Sequence, residues 1–212
     1  MKTPLLFAAL TLLAGTAVAA EPIKIGEYAS LTGKEAGFGQ TSHHGVVMAI
    51  EEINAAGGVL GRPLELAYED NQTKAGESAT AVKKLISRNK VVALIGEVSS
   101  GRSLEAAPIA QQAKIPMIAP AATNPKVTQT GNYIFRVCFI DPFQGTVMAK
   151  FAKDDLKAKK VAILSSVSNA YSVGLANFFR DTFTKGGGTV AVESSETGRT
   201  TFKVRLPKTG LH

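Results

Sequence analysis

Residues 91–125 constrain the fold more than any other stretch of the chain. Val91, Val92, Ala93, Leu94 and Ile95 form an unbroken apolar run, the pattern of a strand covered on both faces in a parallel sheet. Gly96 ends it. Ser99 and Ser100 stand where a helix N-cap belongs, ahead of Leu104, Ala107, Ile109, Ala110 and Ala113, with Glu105 in the early turns. Residues 116–119 read as the next strand, and residues 120–125 (PAATNP) are too Pro-bounded to continue it. Two neighbouring parallel strands then deliver Ser100 and Thr123 to the same sheet edge, the carboxyl ends, where open α/β sheets bind ligands. Hydroxyls and free N–H groups at a helix start suit a carboxylate or another small anion. The same serines serve equally as a plain helix cap, and Thr123 as a plain turn residue; spacing alone leaves both readings open.

The β-α order extends on either side. Residues 23–28 read as the first strand, and residues 29–40, with Gly33, Gly37 and Gly39, as a long turn. A first helix is expected over residues 41–56, where Val46, Val47, Ile50 and Ile53 recur at helical spacing before Gly57-Gly58. Residues 64–68 alternate with period two, a strand ending at Glu69-Asp70. A second helix over residues 74–89 is expected to bury Ala81, Val82, Leu85 and Ile86. Alternating βαβα predicts a doubly wound α/β sheet. After the strand-like run 134–140 the pattern restarts. Asp141-Pro142 reads as N-cap and first helical residue, and Phe143, Val147, Met148 and Phe151 as one apolar face of that helix. Residues 161–164, 172–185 and 189–192 follow as strand, helix and strand. Two or three strands make a poor stand-alone sheet, and residues 196–212, with Arg199, Lys203, Arg205 and Lys208 around Pro207, offer little to pack. The second unit reads as an interrupted domain.

Residues 1–20 carry the three parts of a secretory signal. Lys2 is the positive start, residues 5–13 the apolar core, and Ala17-Val18-Ala19-Ala20 the small-residue cleavage site. The apolar run is too short to span a bilayer, and no Cys follows the cleavage region for a lipid anchor. Cys138 is the only cysteine, so an internal disulfide is impossible; it is expected to be a small buried hydrophobe. The net charge of +7 includes Lys2. The basic residues are spread through helices rather than gathered with aromatics, which argues against a nucleic-acid surface.

Catalytic patterns are thin. Gly37-Phe38-Gly39-Gln40-Thr41-Ser42 half-matches a dinucleotide fingerprint, but its third position is Ser42 and the turn before it is too long. No G-x-S-x-G nucleophile elbow occurs. His43 and His44 are adjacent on the first helix, diverge by about 100°, and are expected at a solvated helix start rather than on one metal. No enzyme activity, cofactor or metal is expected.

Several segments, taken in order, carry a resemblance. They are GEYASLTG (26–33), GFGQ (37–40), AIEEINAAGGVLGR (49–62), YED (68–70), IGEVSS (95–100) and IAPAATNP (118–125). The chain resembles the periplasmic solute-binding proteins of ABC transporters, in the branched-chain amino-acid (Leu/Ile/Val) binding family. The resemblance implies a type I periplasmic-binding-protein fold, a two-lobed clamp with a first lobe at 21–138 and a second, incomplete one at 139–212. It implies that Ser100 and the turn Ala121-Ala122-Thr123 hold the α-carboxylate and α-ammonium of an amino acid. Phe38 and Tyr171 match positions where relatives place aromatics near the ligand; a loop residue on the sheet and a half-exposed helix start are their alternatives. It also implies a membrane permease as partner, a monomer, and a periplasmic location. A sensory protein of the same fold, taking an amide or small carboxylate, is the alternative. Relatives continue for roughly as long again, and the acidic residue they use on the second lobe would lie past His212. A truncated or frame-disrupted product, or a partial gene, is therefore expected.

Overall fold

The computed structural model describes residues 21–191. The signal-peptide expectation for residues 1–20 and the reading of residues 196–212 lie outside the described residues.

Five parallel strands form the larger sheet in the order β2-β1-β3-β4-β5. They are β1 (Ile23–Ala29), β2 (Leu64–Asp70), β3 (Ala93–Ile95), β4 (Met117–Ala119) and β5 (Ile134–Arg136). The chain leaves β1 toward β2 on one side and returns to β3 on the other, so strand order reverses between β1 and β3. That reversal opens a crevice at the carboxyl edge. The intervening helices are α1 (Ala36–Ala55), α2 (Glu77–Lys84), α3 (Ser100–Ala113) and the single turn α4 (Lys126–Gln129). The main core lies under them: Tyr28, Val82, Leu85, Leu94, Ala106, Ala107, Ala110, Met117 and Val127 are at most 1% exposed. Ala81, Val82 and Leu85 are buried and Ile86 packs against this core, as the periodicity of the second helix predicts. That helix ends in a π-turn at Leu85–Asn89.

The doubly wound sheet agrees with the sequence reading; two details do not. First, α1 begins at Ala36, not at residue 41. Gly39, read as a turn glycine, is buried inside the helix, where an added Cβ would lie 2.0 Å from the Ser30 carbonyl oxygen. It permits a close approach of helix to strand end rather than a turn. Second, β3 spans only three residues, because Lys90 turns the chain with φ +58° and Val92 is 53% exposed.

Beyond β5 the chain forms α5 (Asp141–Lys150), α6 (Ala170–Lys185) and a two-stranded parallel sheet of β6 (Lys160–Ala162) and β7 (Thr189–Ala191). The expected apolar face of α5 is not its buried face. Phe143, Val147, Met148 and Phe151 are 45–62% exposed, while Gly145 and Ala149 are buried. The cause is a close crossing: an added Cβ on Gly145 would stand 2.7 Å from the Phe178 Cβ of α6. Small residues set this contact, and the bulky ones are turned aside. Cys138 lies outside β5 and is half-buried, not a core residue. Among the described residues no helix is long and apolar enough to cross a membrane.

Candidate functional site

A cavity of about 650 Å³ opens at the carboxyl edge of the larger sheet, within the size range of small-molecule sites. Four segments line it. The start of α1 contributes Glu35, Phe38, Thr41 and Ser42; the β3–α3 turn contributes Val98, Ser99 and Ser100. The turn after β4 contributes Pro120, Ala121 and Thr123, and the second unit Phe139, Gln144, Asn169 and Tyr171. Glu35 is the one charged residue among these.

Of the six residues singled out in the sequence, Phe38, Ser100, Ala121, Thr123 and Tyr171 meet at this cavity. Ala122 does not. Its side chain is fully buried in the core and its carbonyl accepts from Arg136 Nη1 at 2.8 Å. Alternation along an extended turn sends Ala121 and Thr123 one way and Ala122 the other. Phe38 stands in the first turn of α1, 73% exposed, not in a loop. Tyr171 lies in the first turn of α6, and its hydroxyl accepts from Gln144 Nε2 at 3.1 Å.

The turns after β3 and β4 are joined directly. Ser100 is buried, and its Oγ accepts from the Asn124 N–H at 3.2 Å, so the Ser100 O–H remains a donor toward the cavity. Ser99 occupies the N-cap position with extended backbone but makes no side-chain cap bond. The α3 N-terminus therefore presents donors and the positive end of its dipole to the cavity.

Two side chains that the sequence reading passed over hold these turns. Glu97, 1% exposed, accepts through Oε1 from Ser30 N (2.8 Å), Ser30 Oγ (2.6 Å) and Asn71 Nδ2 (3.1 Å), and through Oε2 from Ser99 N (2.9 Å). One carboxylate thus ties the turns after β1, β2 and β3. Arg136 donates from Nη1 to the Ala122 and Asn124 carbonyls at 2.8 and 2.9 Å. Its Nη2 donates to the Pro125 carbonyl at 3.2 Å and to Thr128 Oγ1 at 2.6 Å. The signal available in sequence was a charged residue at the carboxyl end of an apolar strand, beside neighbouring ends rich in carbonyls or hydroxyls.

His43 is not at a solvated helix start. With α1 beginning earlier, it lies about two turns inside the helix, and its Nδ1 is 2.6 Å from Oε2 of the buried Glu27. Burial raises the Glu27 pKa above its ordinary 4.5, and the His43 contact offsets this only in part. No group of three or more His, Cys, Asp or Glu side chains able to hold a metal occurs among the described residues.

Asp141 also departs from expectation. Ile140 takes the N-cap position, and the Asp141 carboxylate makes no cap bond. It is fully buried, neither oxygen has a hydrogen-bond partner among the described residues, and its N–H donates to the Thr123 carbonyl at 3.0 Å. Burial raises its carboxyl pKa above the ordinary 3.8; the nearby Thr123 hydroxyl and the Arg136 charge pull it back less. A carboxyl with a raised folded-state pKa supports the fold below its unfolded value and loses that support as pH rises through the folded one. Asp141→Asn is therefore expected to match the parent in stability near pH 3. At pH 7 it should exceed the parent by about 1 kcal/mol, measured as the difference between urea midpoints at the two pH values. A variant equally or less stable at pH 7 would contradict the raised pKa.

A family profile described as "Periplasmic binding protein" matches residues 22–203. The chain belongs to this family. A Leu/Ile/Val-binding protein of Rhizobium johnstonii is 35% identical over 87% of this chain and 50% of its own length. The crystal structure of a leucine-binding protein from Thermotoga maritima is similar at 44% identity and a TM-score of 0.78, over 84% of this chain and 50% of that one. A branched-chain amino-acid transporter substrate-binding protein from Streptococcus pneumoniae, in complex with isoleucine, matches at 33% identity and a TM-score of 0.75, over 81% and 48%. The chain has the type I periplasmic-binding-protein fold. It spans about half the length of these relatives. Within the periplasmic-binding-protein frame, the five-stranded sheet corresponds to a doubly wound first lobe, and β6-β7 with α5 and α6 to part of a second.

Proposed function

We propose that this chain is the extracytoplasmic solute-binding component of an ABC transporter, taking a branched-chain or related amino acid for uptake and performing no catalysis. In this reading the signal at residues 1–20 is removed on export, the lobes divide near residues 138–139, and the partner is a membrane permease met by a monomer. The observation that carries it is the Ser100 Oγ–Asn124 N–H bond, which sets two turns of hydroxyl and amide donors against one cavity. Ser100 O–H and the α3 N–H groups receive the ligand carboxylate. Thr123 Oγ1 serves carboxylate or ammonium, and the Ala121 carbonyl accepts from the ammonium. Phe38 and Tyr171 face the remainder of the ligand. Capture follows from the ligand's preference for a closed arrangement of the lobes.

Titration calorimetry with leucine, isoleucine, valine, their amides and small carboxylates tests this. An amino acid is expected to bind with a 1:1 stoichiometry. Ser100→Ala should weaken it about 10- to 100-fold, the worth of one hydrogen bond to a charged group. Binding by no member of the panel, or an unchanged affinity in Ser100→Ala, would remove the assignment.

A further inference from the structure

Among the described residues Glu35 is the sole charge on the cavity wall. Its Oε2 is buried without a hydrogen-bond partner, and among the described residues no ion pair reaches its carboxylate. It does not cap α1, although it stands at that helix's N-cap. The turn that carries it is nonetheless fixed. The Glu35 N–H donates to Thr73 Oγ1 at 3.3 Å, and Thr73 Oγ1 donates to the Thr32 carbonyl at 2.8 Å. Thr32 Oγ1 in turn donates to Asp70 Oδ2 at 2.6 Å. An unpaired carboxylate is thus held in a defined place at the end of β1, across the strand-order reversal from the α3 N-terminus.

The crevice has two electrical ends: donors and a positive helix end on the β3 side, a lone negative charge on the β1 side. A small monoanion satisfies only the first and is repelled by the second. A dipolar ligand satisfies both. We propose that Glu35 is a specificity-determining residue that reads a positive charge on the ligand, making the site selective for zwitterions over carboxylates that lack an amino group. This rests on the reading of the cavity as an amino-acid site and narrows it. A carboxylate beside its own helix start is also favoured by the helix dipole, but that role affects stability and leaves ligand preference unmoved.

The test compares leucine with 4-methylpentanoate, the same molecule without its ammonium, on the full chain and on Glu35→Gln, which is isosteric and disrupts no hydrogen bond. The parent is expected to bind leucine at least tenfold more tightly than 4-methylpentanoate. In Glu35→Gln that ratio should shrink at least tenfold, with 4-methylpentanoate bound as tightly as before or more so. A ratio unchanged within threefold, while the parent binds leucine, overturns the role of Glu35 alone. Binding of neither compound to the parent overturns the amino-acid reading and this inference with it.

Discussion

Glu97→Ala is expected to lower the stability of the folded chain by about 4 kcal/mol, the upper range for a single substitution. The loss does not come from apolar packing. It comes from three backbone and amide donors, Ser30 N, Asn71 Nδ2 and Ser99 N, that have this carboxylate as their partner in the buried edge of the sheet. Water cannot easily replace it, since Glu97, Ser30 and Asn71 are all at most 1% exposed. Glu97→Gln should fall between parent and alanine variant: one oxygen survives, but the new NH₂ faces groups that are themselves donors. Urea unfolding followed by circular dichroism measures both. A loss below about 1 kcal/mol in the alanine variant would mean that the three turns hold their places without the carboxylate.

Arg136→Met is expected to cost about 3 kcal/mol and, separately, to weaken ligand binding more than tenfold. The guanidinium gathers three carbonyls and a hydroxyl from residues 122–128. Removing it leaves those oxygens without donors and frees the segment that places Ala121 and Thr123 at the cavity. Arg136→Lys should not restore either property, because a single ammonium cannot serve four acceptors arranged around a planar fork. Thermal unfolding and calorimetry with leucine read the two effects independently. Parent-like behaviour of the lysine variant would show that charge alone, not the fork, organises the turn.

The sheet was legible because buried parallel strands advertise themselves as apolar runs. The alternating order of strand and helix leaves few ways to arrange them. The start of α1 was not, because a glycine that admits a neighbouring backbone looks the same in sequence as one that turns the chain. Gly39 is of the first kind. That single misplacement also hid the Glu27–His43 contact, since a histidine's neighbour depends on its angle around the helix. On α5 the apolar periodicity does not mark the buried face: Gly145 and Ala149 allow a close helix crossing, so the larger residues on the other face are exposed. The cavity was readable as two turns at one edge. Glu97 and Arg136 were not, because their partners are main-chain and side-chain groups of turns that come together only after folding.

Asn124 adjoins Thr123, yet its amide Nδ2 donates to the Ala170 carbonyl at the start of α6, at 3.0 Å. Gly174, one helical turn on, leaves no room there: an added Cβ would lie 2.9 Å from the same Nδ2. The residue next to Thr123 is therefore tethered to the start of α6. Any swing of α6 away from the larger sheet must first break that bond, so in the proposed binding role the turn that would meet the ligand is coupled to the position of α6.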